Sequence, residues 1–370
     1  MSEPSAPPPT YWDYLRLDRL LDLQDGLGNQ DTLISSDELH FIIVHQVYEL
    51  WFKLALAEIR LARNHLASPR VPEASIPYVV HHLRRINEIL RLAVDQFRLM
   101  ETLTPQDFLD FRDKLTPSSG FQSFQMREVE ILLGLEDSQR EIYGTVHPLD
   151  HIRKLADRSP AGALAWGRIE AARGELTLRA AMHDWLHRTP IQGSTPENPD
   201  DHAVVEAFIA EYLAAGAPRR AAQLEKLIAA GSGTREALTE RFAANDEASR
   251  AFLRADGVPE PQRARVTRIR AAVLFIESYR DLPLLAWPRL LLDTVVELEE
   301  LLILWRTRHA RMVERTIGRR VGTGGSSGVD YLDKTTRYRI FHELWAVRTL
   351  LSPRAALPAL KNEGRYGFAE

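Results

Sequence analysis

The helical character of this chain is clearest in residues 35–65, which read SSDELHFIIVHQVYELWFKLALAEIRLARNH. It begins with Ser35-Ser36-Asp37-Glu38, a capping box in which a serine and a glutamate side chain satisfy each other's free backbone N–H groups. An apolar run with a period near 3.6 follows, and Ser68-Pro69 ends it. The pattern predicts a long amphipathic α-helix.

The same helical period recurs along most of the chain, and strand-like alternation is nearly absent. We predict further helices near residues 11–23, 76–100, 105–115, 123–135, 291–317 and 337–351. Gly318 is expected to end the 291–317 helix, and the basic residues around it suit the negative end of the helix dipole. The sequence therefore predicts an all-α fold built as a helical bundle.

Composition excludes several classes of protein. The 370 residues carry a formal net charge of −4, so no basic excess is present to bind a nucleic acid. The absence of cysteine excludes disulfide scaffolds, cysteine nucleophiles and thiolate metal sites. No apolar window is long enough to span a bilayer, and the first residues do not read as a signal peptide. We expect a cytoplasmic protein with no nucleic-acid or membrane partner.

The predicted organisation has four parts. Residues 1–10 are rich in proline and are expected to be a disordered lead-in. Residues 11–136 and 266–352 carry the most regular helical patterns and are predicted to form the core. Residues 137–265, rich in Ala, Arg and Glu, are predicted to form a helical insertion, and residues 353–370 a C-terminal tail.

Two histidines interrupt apolar helix faces. One side of the first long helix carries Phe41, His45, Tyr48 and Phe52. One stripe of the 291–317 helix carries Leu302, Trp305, His309, Met312 and Val313. A histidine on such a face is commonly a hydrogen-bonded core residue. Two of them on helices far apart in sequence, in a chain without thiols, also fit a haem site between helices, and the residues alone leave both interpretations open.

Three shorter segments carry further candidate chemistry. Arg112, in Asp110-Phe111-Arg112-Asp113, can bind a carboxylate through two N–H groups or pair with a neighbouring aspartate. The glycine-rich heptad 322–328, with Thr323, Ser326 and Ser327, reads as a lid or as a flexible linker. His183-Asp184-Trp185-Leu186-His187 spaces two histidines like a zinc-protease motif, which would make the protein a metal hydrolase.

Several of these stretches together resemble the tryptophan 2,3-dioxygenase family. In chain order they are residues 11–15 (YWDYL), 41–46 (FIIVHQ) with 49–51 (ELW) after it, 110–112 (DFR), 117–123 and 305–328. The matches cover about residues 10–136 and 285–352. The resemblance implies an all-α, haem-binding fold of the tryptophan/indoleamine dioxygenase type and a homotetramer. It also implies cleavage of the indole ring of L-tryptophan by O2 to N-formylkynurenine, a reaction of the kynurenine pathway.

The resemblance implies a role for each matching residue. His309 would be the proximal ligand of haem b iron, with Trp305 beside it, and Arg127 would lie toward a haem propionate. His45 would be the distal, catalytic histidine near the indole N–H. The implied substrate-binding residues are Phe41, Phe108, Leu115, Ser119, Arg112 at the carboxylate, Thr323 near the ammonium, and Tyr11 and Tyr14, which would reach a neighbouring subunit's site.

One residue departs from the family pattern, and three alternative functions stay open. His40 stands where the resemblance predicts an apolar residue. The first alternative is a related haem-dependent monooxygenase acting on a substituted tryptophan or another aromatic amino acid. The second is a helical scaffold or haem carrier without catalysis. The third is the metal hydrolase that would use His183 and His187.

Overall fold

A computed structural model describes residues 8–26, 34–142, 147–324 and 327–367. Within these residues the backbone forms helices and turns, and the β pairing is limited to an isolated bridge between Ile191 and Ser194. The α-helices are α1 (Tyr11–Leu15), α2 (Leu17–Leu20), α3 (Ser36–Leu66), α4 (Ile76–Met100), α5 (Pro105–Arg112), α6 (Phe124–Leu133), α7 (Pro148–Ala156), α8 (Pro160–Arg173), α9 (Leu178–Arg188), α10 (Asp201–Ala229), α11 (Arg235–Leu253), α12 (Gln262–Ser278), α13 (Ala286–Ile317), α14 (Val329–Thr335) and α15 (His342–Arg348). Short 3-10 helices are Glu73–Ser75, Asp113–Leu115, Gly120–Gln122, Asp137–Gln139, Pro283–Leu285, Arg354–Ala356 and Glu363–Tyr366. The predicted all-α class is confirmed.

Helices α3, α4 and α13 pack together at the centre of the molecule. The hydroxyl of Ser35 accepts the N–H of Glu38 at 3.1 Å, as the capping box predicts. The reciprocal half is different, because the Glu38 carboxylate accepts a hydrogen bond from Lys114 at 3.1 Å. Helix α13 begins at Ala286, earlier than predicted, since Pro288 lies in the first turn, where a missing N–H breaks no hydrogen bond.

The single helix predicted over residues 11–23 is wrong. Arg16 has a φ of 53°, in the left-handed region, and this residue separates α1 from α2. The apolar side chains of the segment, among them Leu21 and Leu23, are exposed in the isolated chain. A helical period therefore predicted helical structure here but could not show that the helix is interrupted. Residues 1–7 of the predicted lead-in lie outside the described residues.

The helix predicted over residues 337–351 is shorter, and α14 before it was not predicted. The carboxylate of Glu299 on α13 accepts the backbone N–H groups of Ile340 and Phe341 and the indole N–H of Trp345. Because a buried side chain satisfies these N–H groups, the backbone before α15 does not need a helical turn. The C-terminal residues also pack on the chain, where the Tyr366 hydroxyl donates to the Pro190 carbonyl at 3.0 Å.

The region 137–265 shares one continuous apolar core with the segments on either side. Helix α8 packs on α6, and α9 packs on α3 and α12. Ile169, Leu186 and Ile209 from this region are fully buried in that core. The second half of α10 and helix α11 form a hairpin with mostly exposed side chains. The division of the chain into a core and an insertion stays a prediction.

None of the described helices combines the length and the apolar character that crossing a bilayer requires.

Candidate functional site

A largely apolar cavity of about 230 Å³ lies between α3, α4, α13 and α14. Several aromatic side chains lie in its walls, among them Phe41, Tyr48, Phe52, Phe97, Phe108, Phe121 and Trp305. The charged and titratable side chains at its surface include His45, Glu49, Arg112, Arg127, Arg306, His309 and Tyr331. An apolar pocket with a few convergent polar groups is typical of a site that binds a small molecule or a cofactor.

His309 projects from the C-terminal third of α13 into this cavity. Its ring stacks on Phe97 at 5.8 Å between centroids and lies 5.3 Å from Trp305. No hydrogen bond to the ring is present among the described residues. Burial lowers the pKa of His309 to about 4, assisted by the charges of His45, Arg306 and Arg127. The imidazole is therefore neutral at pH 7, which is the form that binds a metal ion.

Trp305 fixes the wall next to His309. Its indole ring packs against Tyr48, Phe52 and Phe97 at centroid distances of 5.9 to 6.3 Å. The indole Nε1 is buried and has no acceptor among the described residues. A buried N–H without an acceptor costs free energy, so this donor marks a place where a water molecule or a ligand completes the wall.

His45 lies on the α3 wall of the same cavity. Its Nδ1 is 2.7 Å from the Phe41 carbonyl oxygen, and because a carbonyl only accepts, Nδ1 carries the proton. Burial lowers the pKa of His45, although the hydrogen bond to Phe41 and the charge of Glu49 oppose this, so the ring is neutral at pH 7. A neutral ring with a protonated Nδ1 leaves Nε2 as a hydrogen-bond acceptor.

The α5 end of the cavity contacts the segment that follows α13. Arg112 Nη2 donates to the Val321 carbonyl at 2.6 Å, and the Thr323 hydroxyl donates to the Ser118 carbonyl at 2.5 Å. Arg112 Nε is buried and has no acceptor among the described residues. The segment 321–323 thus lies over the cavity in contact with α5 and the turn after it.

Glycines lie at both ends of the connection between α13 and α14. Gly318 ends α13 with a φ of 60°, and Gly328 precedes α14 with a φ of 61°. A Cβ atom on Gly328 would lie 2.7 Å from the Arg320 carbonyl oxygen, so no other residue fits there without a shift. Ser327 is exposed, and Ser326 lies outside the described residues.

Most of the predicted site residues lie together at the cavity. Its lining includes Phe41, His45, Phe108, Arg112, Ser119, Arg127, Trp305, His309 and Thr323. Leu115 is partly buried against the core and is not among the lining residues. Tyr11 and Tyr14 are 71% and 79% exposed on α1 and are not among the lining residues. His40 is half-buried and is not among the lining residues.

Sequence reasoning missed two charged residues at the cavity. Glu49 lies one turn after His45 on α3, and its Oε2 accepts from Gln125 Nε2 at 2.8 Å. Arg306 lies one turn before His309 on α13 and pairs with Glu130. The signal was present, because spacings of three and four residues put each of them on the same helix face as a predicted histidine.

His183 and His187 on α9 do not assemble a metal site. His183 Nε2 lies 3.3 Å from Glu343 Oε2. In the described ranges, no group of three or more His, Asp or Glu side chains is arranged to hold a metal ion. Nothing in this arrangement favours the metal-hydrolase hypothesis.

Comparison with known proteins agrees with this geometry. A family model described as tryptophan 2,3-dioxygenase matches residues 3–351. The chain is 46% identical to tryptophan 2,3-dioxygenase 2 of Ralstonia nicotianae, over 98% of both chains. It is 43% identical to tryptophan 2,3-dioxygenase of Sorangium cellulosum, over 97% of this chain and 87% of the relative. It is 50% identical to a tryptophan 2,3-dioxygenase-like protein of Xanthomonas campestris, over 72% of this chain and 98% of the relative.

The fold, the cavity and these matches define an all-α enzyme of the oxygenase class. Within that class, the chain belongs to the tryptophan 2,3-dioxygenase family. The family resemblance read from the sequence is confirmed.

Proposed function

We propose that this enzyme is a haem-dependent dioxygenase that inserts both atoms of O2 across the indole C2–C3 bond of L-tryptophan to give N-formylkynurenine. One observation carries the proposal. A single cavity holds His309, a neutral histidine with no hydrogen bond among the described residues, His45, a second histidine with one acceptor nitrogen, and the arginine Arg112.

The residues present fit a haem group. In the described part of the chain, the neutral imidazole of His309 has no hydrogen bond and the buried Nε of Arg127 has no acceptor. Both residues line the same cavity, and its aromatic and aliphatic side chains suit the apolar faces of a planar macrocycle. His309 would be the iron ligand, Trp305 would pack beside it, and Arg127 would bind a propionate. Bound there, haem would supply the redox-active iron at which O2 reacts.

His45 would orient the indole ring of the substrate. Its Nε2 is the acceptor, so it would accept a hydrogen bond from the indole N–H. The ring of Phe41 lies 4.0 Å from that of His45, and Phe108 lies 5.9 Å from Phe41. These apolar rings would exclude water from the indole and hold its plane against the histidine.

Arg112 and Thr323 would hold the amino-acid end of the substrate. A guanidinium binds a carboxylate through parallel N–H groups, and Arg112 Nε is a buried donor available for it. The Thr323 hydroxyl donates its hydrogen bond to the Ser118 carbonyl oxygen. Its own oxygen therefore retains lone pairs that can accept a hydrogen bond from an ammonium group. Ser119, whose oxygen accepts the Phe121 N–H at 3.3 Å, would contact the indole side of the cavity.

We also propose that the enzyme is a cytoplasmic homotetramer. The apolar residues of α1, including the 62% exposed Trp12, have no partner surface on their own chain among the described residues. In such a tetramer, Tyr11 and Tyr14 would contact the site of the neighbouring subunit. Light scattering during gel filtration measures whether four copies assemble. A monomer would contradict this part of the proposal.

The reaction is tested with haem-loaded protein, reduced without air and mixed with L-tryptophan and ¹⁸O₂. Absorbance and mass spectrometry should detect N-formylkynurenine with two labelled oxygen atoms. A product with one labelled oxygen would assign the enzyme to the related monooxygenases. Haem-loaded protein that leaves tryptophan unchanged would overturn the activity.

A further inference from the structure

A cluster of buried charges lies on one wall of the cavity, and the substrate contacts proposed above do not use it. Arg306 Nη2 lies 2.6 Å from Glu130 Oε1. Arg127 Nη1 lies 3.1 Å from Glu130 Oε2, and Arg140 pairs with the same oxygen. All four residues are less than 10% exposed. Arg127 and Arg306 line the cavity, whereas Glu130 and Arg140 lie behind them.

The cluster is not electrically balanced. Among its buried groups, three guanidinium ions share one carboxylate. Asp137 also contacts Arg140, at 3.4 Å, but it is half-exposed and pairs with Arg173 at 2.8 Å. A buried charge is costly unless it is paired. The excess positive charge therefore points to an anionic ligand on the cavity side.

The geometry also shows where that ligand would be held. Arg127 Nε is fully buried without an acceptor among the described residues. The Arg306 guanidinium lies over the ring of Tyr338 at 4.7 Å, which orients its plane. Arg306 precedes His309 by three residues on α13, so the two side chains project from the same face of one helix.

We propose that Arg306 binds a haem carboxylate and, together with Arg127, forms a receptor for the two propionates. The inference rests on the proposed haem-dependent function and adds a residue to it. One rigid helix would then supply both the iron ligand and a propionate ligand. A haem held at both points cannot rotate about the His309 bond without breaking a charge-assisted hydrogen bond.

The test compares Arg306→Ala with the wild type in the full-length chain loaded with haem b or with haem b dimethyl ester. The measurement is the rate at which haem leaves for an excess of a colourless haem-binding acceptor protein. A charge-assisted hydrogen bond is worth roughly a factor of 10 to 100. We expect haem b to leave Arg306→Ala about tenfold faster or more, and the ester to leave both proteins at similar rates.

Two further variants make the result specific. Arg311→Ala removes an exposed arginine of the same helix that pairs with Glu314 and Asp333, and it should behave as the wild type. Arg306→Lys retains the positive charge but lacks the two parallel N–H groups of a guanidinium. It should give an intermediate rate of haem release and a shifted propionate bending band in the resonance Raman spectrum. This variant keeps the test available if Arg306→Ala does not fold.

The outcomes separate the inference from the function on which it rests. If the wild type takes up no haem b, the proposed function fails. If the wild type binds haem b but Arg306→Ala releases haem and ester with unchanged rates, or accelerates both equally, the function stands and the propionate role of Arg306 is wrong.

Discussion

The two cavity histidines differ in what their ring nitrogens contact. The Nδ1–H of His45 donates a hydrogen bond to the carbonyl oxygen of Phe41, one turn earlier on the same helix. His309 has no hydrogen bond among the described residues, and its ring packs against those of Phe97 and Trp305. One ring is oriented by the backbone, and the other is held by packing alone. The first therefore suits a hydrogen-bond partner, and the second suits a ligand that itself fixes the ring, such as a metal ion.

The α13 wall of the cavity also differs from the side that is covered by the segment 321–323. The wall that carries His309 is the buried face of α13. This helix packs along α4, and its Arg306 pairs with Glu130 in the buried cluster. The opposite side is completed by the segment 321–323, which contacts α5 through the Arg112 and Thr323 hydrogen bonds. We expect substitutions on the first wall to affect cofactor binding and stability, and substitutions on the second to affect substrate binding and rate.

The largest expected effect is the loss of haem from His309→Ala, because the iron would lose its protein ligand. The Soret absorbance that remains after gel filtration measures haem retention. His202→Ala, at an exposed position on α10, is the control and should retain haem. Full retention by His309→Ala would remove the distinction between the two histidines.

Glu130→Gln tests the buried support of the His309 wall. Breaking a buried ion pair from one side costs roughly 3–5 kcal/mol, because the remaining charges are uncompensated. Chemical denaturation at pH 7 measures the loss of unfolding free energy. Glu247→Gln, at an exposed i,i+3 pair with Arg250, should change it by less than about 1 kcal/mol.

The same cluster gives the stability a dependence on acid. Burial raises the pKa of Glu130, but the charges of Arg127, Arg306 and Arg140 outweigh it and hold the pKa at about 2. A carboxyl with a folded pKa below its unfolded value of 4.5 stabilises the fold above pH 4.5 and loses that contribution as the pH falls toward 2. The stability difference between wild type and Glu130→Gln should shrink over this range.

Arg112→Ala tests the opposite wall. Loss of a buried charge-assisted pair with the substrate carboxylate costs on the order of 2–5 kcal/mol, so substrate binding should weaken by at least about thirtyfold while haem is retained. Spectral titration with L-tryptophan measures it, with the exposed Arg98→Ala as control. Weakening below about threefold would contradict the role of Arg112.

His45→Ala should retain haem but react about tenfold more slowly. This factor corresponds to the loss of one hydrogen bond at the upper limit of its usual net contribution. Because the pKa of His45 is lowered below 6.5, Nε2 stays unprotonated until the pH falls below that value. The wild-type rate should therefore fall only at more acidic pH, and this fall should be absent in His45→Ala. A wild-type rate that declines already between pH 8 and 7 would assign the titration to another group.

Thr323→Val should have the smallest effect. It removes a hydroxyl that contacts the Ser118 carbonyl, worth roughly 1 kcal/mol or about fivefold in substrate binding. Thr336→Val, whose hydroxyl donates to the Asp333 carbonyl away from the cavity, is the matched control. Equal effects of the two variants would remove the assignment of Thr323 to the site.

The long helices and the two histidines were predictable because a helical period places residues on one face. The period identified α4 at its observed bounds and put His45 and His309 on faces that meet. It could not locate Arg16 in a left-handed conformation or the Glu299 carboxylate that replaces a helical turn, because both depend on local backbone or on contacts distant in sequence. The cluster around Glu130 needed the structure for the same reason, since its partners come from residues 127, 140 and 306.

The hydrogen bond between Arg112 and Val321 means that the backbone and a bound ligand would compete for the same guanidinium N–H. A carbonyl oxygen of the chain takes one guanidinium donor that an amino-acid carboxylate would also claim. Indole and tryptamine, which have no carboxylate, would leave this donor with Val321, whereas tryptophan would compete for it. The segment 321–323 would therefore distinguish an amino acid from its decarboxylated analogue at the binding step, before the indole ring reacts.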